Sequence, residues 1–400
     1  MDPYRGNLRP LAAMAALIAA TALLTLSACG PSPQIQEIDG VIHVMNPAEP
    51  LRPDMQVTME QVLLIGREEG EEMEMLPDVA SLDADEQYLY LLVRQDDQVR
   101  VYDHEGGFVR TIGKHGQGPG ELNVAATAAL GPGGNLWVAN MMAQAMSVFT
   151  PQGEFVENIR FSGIPPMLVR VTQEGFMGLH LEQRQSPSDP MMVQTKYHLR
   201  RFDTRGDTLG TVFTSELEMD LRDMQLGSTQ EKVPVYCVDG EGQIWQTRAR
   251  TDAYEINVYS PEGELVRVVE KEFEGIPKSE GEIQEEKEFV ERIIQQQLQG
   301  QQLPPGMSLD YEPPTHRPAT GMPYFDPRGY VWVQTYLPGS SDPNVFDIFD
   351  TEGTYLTQVV IEGREIPSWL TFRGEIMYVA ESSPEQLPAV YGYRVRYAGQ

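Results

Sequence analysis

Histidine and cysteine, which serve as zinc ligands (cysteine also as a nucleophile), are few in this sequence of 400 residues. It contains six histidines, and no two have the His-x-His or His-x-x-x-His spacing that places two imidazoles beside one ion. A Gly-x-Ser-x-Gly elbow and a phosphate-binding loop are both absent from the sequence. Cys237 lies in an apolar run, which indicates a small core residue rather than a nucleophile. The sequence therefore favours a binding function over an enzymatic one.

The charge of the chain narrows the class of partner. There are 59 acidic and 30 basic side chains, which gives a formal net charge of −29. A nucleic-acid partner is not expected, because phosphate contacts require a basic surface. Acidic residues concentrate at 68–74, 216–223 and 280–288. These stretches are either solvated charge that keeps the protein soluble or a rim that attracts Ca²⁺ or a cationic partner.

The N-terminus predicts export and lipidation. A basic start is followed by an apolar stretch from Leu11 to Leu26 and then by Leu-Ser-Ala-Cys, as in a secretory signal. The last four residues resemble the lipobox of bacterial lipoproteins, which implies cleavage before Cys29 and lipidation of its thiol. We therefore divide the chain into a signal peptide (1–28), a lipidated tether (29–55) and a folded domain (56–400). Gly30 stands where the family pattern has Asp in inner-membrane lipoproteins, which implies the outer membrane, on its periplasmic or surface side.

Two short motifs repeat along the folded domain. The first is an apolar run that begins at a turn residue, and its clearest copies contain Trp137, Trp245 and Trp332, which we expect to be wedges between sheets. The second is a hairpin whose turn carries Asp, Ser or Thr and then Gly. The hairpin glycines are Gly107, Gly153, Gly206, Gly263 and Gly353. With a third apolar run before each first motif, the repeating unit has four strands, as in a propeller blade.

The number of units predicts an all-β, six-bladed β-propeller with four antiparallel strands, a to d, in each blade. The sixth blade lacks a d strand at the C-terminus, whereas residues 57–65 form an unpaired strand before the first blade. We expect this N-terminal strand to close the ring as strand d of blade 6, because an open ring exposes unpaired edges. A seventh blade would have to lie in 270–320, which has a helical pattern instead.

The segment from Phe108 to Leu122 resembles the blade-joining segment of NHL-repeat and related bacterial six-bladed propeller lipoproteins. This resemblance implies the same fold over about residues 57–400. It does not specify a function, because the family includes binding modules and a few enzymes. Enzymes of this kind bind a metal in the channel, which leaves a metal-dependent hydrolase or lyase as the alternative function. Its candidate ligands here are His115, His180 and His316.

In this topology every long connection lies on the face that carries the d–a and b–c loops. These connections are 66–76, 113–122, 180–197, 214–232, 270–319, 335–343 and 381–388. We place the binding site there, at the channel mouth, where the b strands end. The candidate ligand-binding residues are Arg94, Asn140, His180, Arg248, Gln334 and Glu381.

The insertion at about 270–319 contains a helical pattern over 280–302, formed by apolar residues at helical spacing. This helix is a lid over the channel, a decoration of the rim, or part of a Gln-rich disordered loop. We expect a monomer, anchored to the membrane by its lipid, that binds a protein, peptide or glycan on this face without a cofactor.

Overall fold

Short apolar strands, each ended by a turn, assemble into six antiparallel sheets around one axis. The computed structural model describes residues 32–66, 75–172, 174–225, 231–298, 308–337, 344–361, 367–381 and 387–399. The signal peptide, Cys29 and the acidic residues at 68–74 lie outside these ranges. Strands a of neighbouring blades contact one another, so strand a is innermost and strand d lies at the rim. The predicted six-bladed propeller is confirmed.

The first three blades follow one another along the chain, each with strands in the order a, b, c, d. Blade 1 comprises Val79–Ala84, Tyr88–Val93, Gln98–Asp103 and Phe108–Ile112. Blade 2 comprises Ala125–Leu130, Leu136–Asn140, Ala145–Phe149 and Phe155–Arg160, with a 3₁₀ turn at Pro132–Gly134. Blade 3 comprises Met167–Val171, Gly175–Gln185, Met192–Asp203 and Thr208–Asp220.

The remaining three blades complete the ring, with the last strand d supplied by the N-terminal part of the chain. Blade 4 comprises Val235–Val238, Ile244–Thr247, Tyr254–Tyr259 and Leu265–Lys271. Blade 5 comprises Pro323–Asp326, Tyr330–Thr335, Val345–Asp350 and Tyr355–Val360. Blade 6 comprises Pro367–Arg373, Ile376–Glu381, Ala389–Ala398 and Gln56–Ile65.

Ring closure follows the predicted scheme. Strand Gln56–Ile65 pairs antiparallel with Ala389–Ala398, with Ile65 opposite Val390 and Val57 opposite Tyr397. The pairing satisfies the backbone of the last blade, which would otherwise present an open edge. It also fixes two faces: the d–a and b–c connections open on one, the connection face, and the a–b and c–d hairpins on the other, the hairpin face.

The hydrophobic core lies between blades. Each of the six buried apolar clusters is shared by two neighbouring blades. Trp245 and Trp332 are fully buried, and Trp137 is 7% exposed, so the predicted wedges are confirmed. Cys237 is buried as predicted, and burial raises the pKa of its thiol far above the usual range. That shift keeps the thiol protonated and unreactive.

Each c–d hairpin packs against strand d of the preceding blade. At the hairpin of blade 3, Gly206 has φ of +87°, and a Cβ on it would lie 2.7 Å from the Ile159 side chain. Glycine is therefore required both by the turn and by the close contact. In blade 1 the positive φ belongs to Gly106 rather than to the predicted Gly107.

Part of the predicted tether over 29–55 is folded onto the propeller instead. Strands Gln34–Ile38 and Val41–Asn46 form a hairpin, and the second strand pairs in parallel with strand d of blade 4. The amide nitrogen of Asn46 donates to the carbonyls of Glu270 (3.1 Å) and Gly353 (2.9 Å). Blade 4 therefore has six strands, and its added hairpin is joined to blade 5 as well.

Blade 3 differs from the sequence prediction in a second way. The connections predicted at 180–197 and 214–232 are in part strands, because b, c and d continue to Gln185, from Met192 and to Asp220. The strands stay in register throughout this extension, with Gln185 opposite Val193 and Met192 opposite Asp220. We call this extension the blade 3 ribbon (181–185, 192–197 and 215–220); it rises on the connection face.

The insertion between blades 4 and 5 contains one helix, Glu280–Leu298. Ser279 caps its N-terminus: the amide of Ser279 donates to the Glu282 carboxylate (2.8 Å), and the amide of Glu282 donates to Ser279 Oγ (3.3 Å). Beyond the helix, Leu309–Asp310 pairs with Met224–Gln225, which joins the insertion to the end of blade 3. Within the described residues, no helix has the length and apolar character needed to cross a membrane.

Candidate functional site

The six residues predicted at the channel mouth have different surroundings. Arg94 is exposed, with its Nε 3.7 Å from a carboxylate oxygen of Asp78. Arg248 is half-buried, and its guanidinium carbon lies 5.6 Å from the ring centre of Phe213 in blade 3. Both are thus engaged by neighbours around the rim.

Gln334 and Glu381 lie at the ends of strand b in blades 5 and 6. Glu381 is buried, whereas Gln334 is half-buried. The backbone of Gln334 pairs with that of Gly321, at the entry to its own blade. These two residues therefore belong to the ends of their sheets.

Asn140 is part of the scaffold. Its amide nitrogen donates to the carbonyl of Glu121 (3.0 Å) and to Ser147 Oγ (3.2 Å), and its amide oxygen accepts from the amide of Asn123 (3.1 Å). The side chain is 1% exposed. It holds the connection from blade 1 against blade 2 and leaves nothing for a ligand.

The central channel is crossed by a side chain that the sequence did not single out. Arg170, in strand a of blade 3, reaches Trp369 in strand a of blade 6, on the opposite side of the ring. The guanidinium carbon lies 5.2 Å from the ring centre of Trp369. Nearby, burial raises the pKa of Asp83, which accepts from the amides of Leu130 and Ala84. The sequence feature that could have indicated this contact is an arginine within the apolar run of an inner strand.

His180 lies in an open cleft between blades 2 and 3. The cleft has a volume of about 660 Å³. One wall is the end of strand d of blade 2 with the connection 161–164. The other is formed by strand b of blade 3 where it continues into the ribbon, by Arg200 and Phe202 of strand c, and by Gly206 and Thr208 at the c–d hairpin. Strand alternation places His180 and Glu182 on the side of strand b that faces blade 2. The cleft is therefore built by the extension that distinguishes blade 3.

A guanidinium organises the polar groups of this cleft. Arg200 donates from Nη1 to His180 Nδ1 (2.7 Å) and from Nη2 to Glu182 Oε1 (2.8 Å). Because arginine can only donate, Nδ1 of His180 must be the acceptor, and the proton of the neutral ring resides on Nε2. Among the described residues, that N–H has no hydrogen-bond partner. Arg200 thus fixes the tautomer of His180 and neutralises Glu182.

A second histidine lies beneath this pair. His198 is directly opposite His180 in the sheet and is 8% exposed. Its Nδ1 is 2.9 Å from Thr214 Oγ1, and its Nε2 lies 3.7 Å from Glu182 Oε2. Burial, together with the nearby charge of Arg200, lowers the pKa of both histidines. The hydrogen bond from Arg200 lowers the pKa of Glu182. Both imidazoles are therefore neutral and the carboxylate ionised at neutral pH.

The three candidate metal ligands have separate surroundings. His115 Nδ1 lies 2.9 Å from a carboxylate oxygen of Asp97, between blades 1 and 2, and His316 is exposed in the insertion beside Thr315. Although burial opposes it, hydrogen bonds from the Ala125 amide and from His115 lower the pKa of Asp97. Across the ranges that the structure describes, no three His, Cys, Asp or Glu side chains are grouped so that they could hold a metal ion.

Two arginines complete the cleft and were not predicted. Arg160 ends strand d of blade 2, and Arg184 lies in the ribbon beyond Glu182; both line the cleft. Nothing in the sequence brings them together, because their meeting depends on how two blades pack.

Comparison with known proteins gives the fold alone. No protein-family model matches the sequence, and no curated protein matches it. A DUF4221 family member from Bacteroides vulgatus is similar in structure, with a TM-score of 0.53 and 13% identity over 86% of this chain and 99% of that one. Two further structures are less similar. A protein from Bacteroides fragilis has a TM-score of 0.48 and 9% identity over 88% of this chain and 99% of that one. Virginiamycin B lyase from Staphylococcus aureus has a TM-score of 0.44 and 9% identity over 85% of this chain and 99% of that one. At these identities the likeness supports a β-propeller and nothing finer about function.

Proposed function

We propose that this chain is a lipid-anchored binding propeller of the bacterial envelope, whose ligand or partner binds on the connection face. One observation carries the proposal: strands b, c and d of blade 3 continue beyond their sheet on this face, and the extended end of strand b lines the cleft that contains His180. Ribbons of this length add surface without adding to the core between blades. Long connections in compact domains are characteristic of binding sites.

The contacts of the ribbon support a fixed wall. Its strands remain in register to the end, and Ser215 Oγ donates to the carbonyl of Lys232. The pairing of Leu309–Asp310 with Met224–Gln225 ties blade 3 to the insertion that carries the helix. A wall held from both sides keeps the cleft formed before a ligand arrives, which reduces the entropy lost on binding.

The proposed anchor is the lipobox-like cysteine, Cys29. Only residues 30–33 separate it from the strand that begins at Gln34. At about 3.5 Å per residue, a segment of this length reaches at most roughly 18 Å from Cys29 to Gln34. In this proposal the rim of blade 4 is the part of the propeller held near the membrane.

Lipidation is tested by metabolic labelling with radioactive palmitate in a bacterial host. We expect the label on the wild-type chain and on Cys237→Ala, because Cys237 is buried in the core, and its loss in Cys29→Ser. Label on Cys29→Ser would contradict the anchor and leave the binding face to be judged separately.

Binding on the connection face is tested by ligand screening followed by hydrogen–deuterium exchange. The panel consists of muropeptides, neutral oligosaccharides, and phosphorylated and carboxylated small molecules. A compound that raises the melting temperature is expected to protect residues 160–164 and 180–185 from exchange. Protection confined to 131–134 and 239–242, which lie on the hairpin face, would overturn the proposed function, and so would the failure of every compound.

A further inference from the structure

The charge of the cleft between blades 2 and 3 is opposite to that of the protein. Its walls carry three guanidinium groups, from Arg160, Arg184 and Arg200, and one carboxylate, from Glu182. With His180 neutral, these groups sum to a local charge of +2 in a chain whose net charge is −29. A cationic cleft in so acidic a protein marks the place where an anion can approach.

The single carboxylate is already neutralised. Glu182 accepts from Arg200 at 2.8 Å. Arg184 lies 3.9 Å from the other carboxylate oxygen and is 79% exposed in its side chain. Arg200 therefore belongs to the wall, whereas the guanidinium of Arg184 remains accessible to a ligand.

Arg160 is the least engaged of the three. It is exposed on the opposite wall, and within the described part of the chain its side chain has no ion-pair or hydrogen-bond partner. The Nε2–H of His180, fixed by Arg200, adds a neutral donor between the walls. Two accessible guanidinium groups and one N–H form a set of donors without a matching acceptor.

We propose that this cleft binds a small organic dianion, either a phosphate monoester or a dicarboxylate, held between Arg160 and Arg184. The inference rests on the proposed function, because it names the ligand class of the same face. Guanidinium groups bind carboxylate and phosphate oxygens through paired, charge-assisted hydrogen bonds. A volume of about 660 Å³ accommodates a molecule of this size.

The test is calorimetric titration of the full chain, purified in detergent, with glycerol 3-phosphate and with succinate. Glycerol and succinamide are the neutral counterparts of the two ligands. We expect one or both dianions to bind, the neutral compounds to bind at least tenfold more weakly, and affinity to fall as sodium chloride is raised. The dianion that binds with the higher affinity shows whether the cleft prefers a phosphate monoester or a dicarboxylate.

The variant Arg160→Gln/Arg184→Gln is expected to weaken the dianion at least tenfold. Its matched control is Arg394→Gln/Arg396→Gln on blade 6, which removes the same two charges away from the cleft. The control is expected to change affinity less than twofold. Equal losses of affinity in both variants would mean that only the net charge of the protein matters, and would contradict the proposed site. The absence of dianion binding would contradict it as well.

The two proposals fail in different ways. If neither dianion binds while another compound of the screen protects 160–164 and 180–185, the ligand class is wrong and the binding face stands. If dianion binding protects only the hairpin face, both are wrong.

Discussion

Asn140 and His180 occupy equivalent positions in strand b of neighbouring blades, but strand b of blade 2 ends at Asn140 whereas strand b of blade 3 continues past His180 to Gln185. The two side chains have different roles. Asn140 is buried and has three hydrogen bonds to its own scaffold. His180 is half-buried in an open cleft and has an unused N–H. Both residues were predicted to bind a ligand from their position in the repeat, but only His180 lines a cleft that a ligand can enter.

The difference arises from the connection that precedes each blade. Between blades 1 and 2 the chain folds back on itself, with His115 bridged to Leu122 and Glu121 Oε2 accepting from the Gly118 amide, and so covers Asn140. Between blades 2 and 3 the connection at 161–164 lines the cleft instead. A polar residue at a blade end is therefore structural or accessible according to its neighbouring loop.

Replacing Asn140 with alanine should have the largest effect on stability, because it leaves the partly buried carbonyl of Glu121 and amide of Asn123 without this partner. We expect the free energy of unfolding to fall by about 3 kcal/mol, measured by urea denaturation. The control Asn158→Ala removes one hydrogen bond, from Ser147, and should cost about 1 kcal/mol. Equal losses in the two variants would show that the connection does not depend on Asn140.

Strand pattern and turn chemistry in the sequence were sufficient to predict the ring. Each blade repeats the same alternation, so Trp245 and Trp332 could be placed between sheets, and the unpaired strand at 57–65 could be assigned to blade 6. These features depend on local pattern together with the requirement that no sheet edge stays open.

What could not be predicted depends on contacts between distant parts of the chain. The hairpin at 34–46 is polar and alternates weakly, and its partner in blade 4 lies more than 200 residues away. The ribbon lies where the sequence predicts connections, because the repeat shared by the other blades does not require strands of this length. The cleft needs Arg160 and Arg184 to face each other across two blades, and a sequence of one chain does not contain that spacing.

Replacing Arg200 with methionine should have an intermediate effect. It removes both hydrogen bonds that order the cleft and leaves Glu182 partly buried without its partner, so we expect a loss of about 2 kcal/mol in the free energy of unfolding. Arg205→Met on the same blade is the control, because its solvent-exposed pair with Asp203 should contribute little to the free energy of unfolding.

A double-mutant cycle of Arg200→Met with Glu182→Gln measures the interaction energy between these two side chains. We expect a coupling of about 1 kcal/mol, because both side chains are largely but not fully withdrawn from solvent. A coupling near zero would mean that Arg200 acts on stability through its stem and not through its charge.

The smallest expected effect is the change in folding stability at acidic pH. His180 and His198 have lowered pKa values in the folded state, so below the ordinary histidine pKa of about 6.5 the unfolded chain binds protons that the folded chain excludes. Stability from the neutral rings is present above that pH and is lost as the pH falls towards the lowered values. The charges facing the two rings are those of Glu182, Arg200 and Lys196, and the two basic groups oppose protonation.

Since one full proton corresponds to about 1.4 kcal/mol per pH unit, the partly solvated pair should contribute less than that to the slope of stability against pH between 6.5 and 5.5. We expect His180→Gln/His198→Gln to lose less stability than the wild type over this interval, measured by urea denaturation at each pH. His316→Gln, an exposed histidine, is the control, and the acidic side chains common to all three proteins cancel in the comparison. If the double variant keeps the wild-type slope, the histidines of the cleft are solvated like His316, and the contrast between a closed Asn140 and an ordered His180 has no energetic basis.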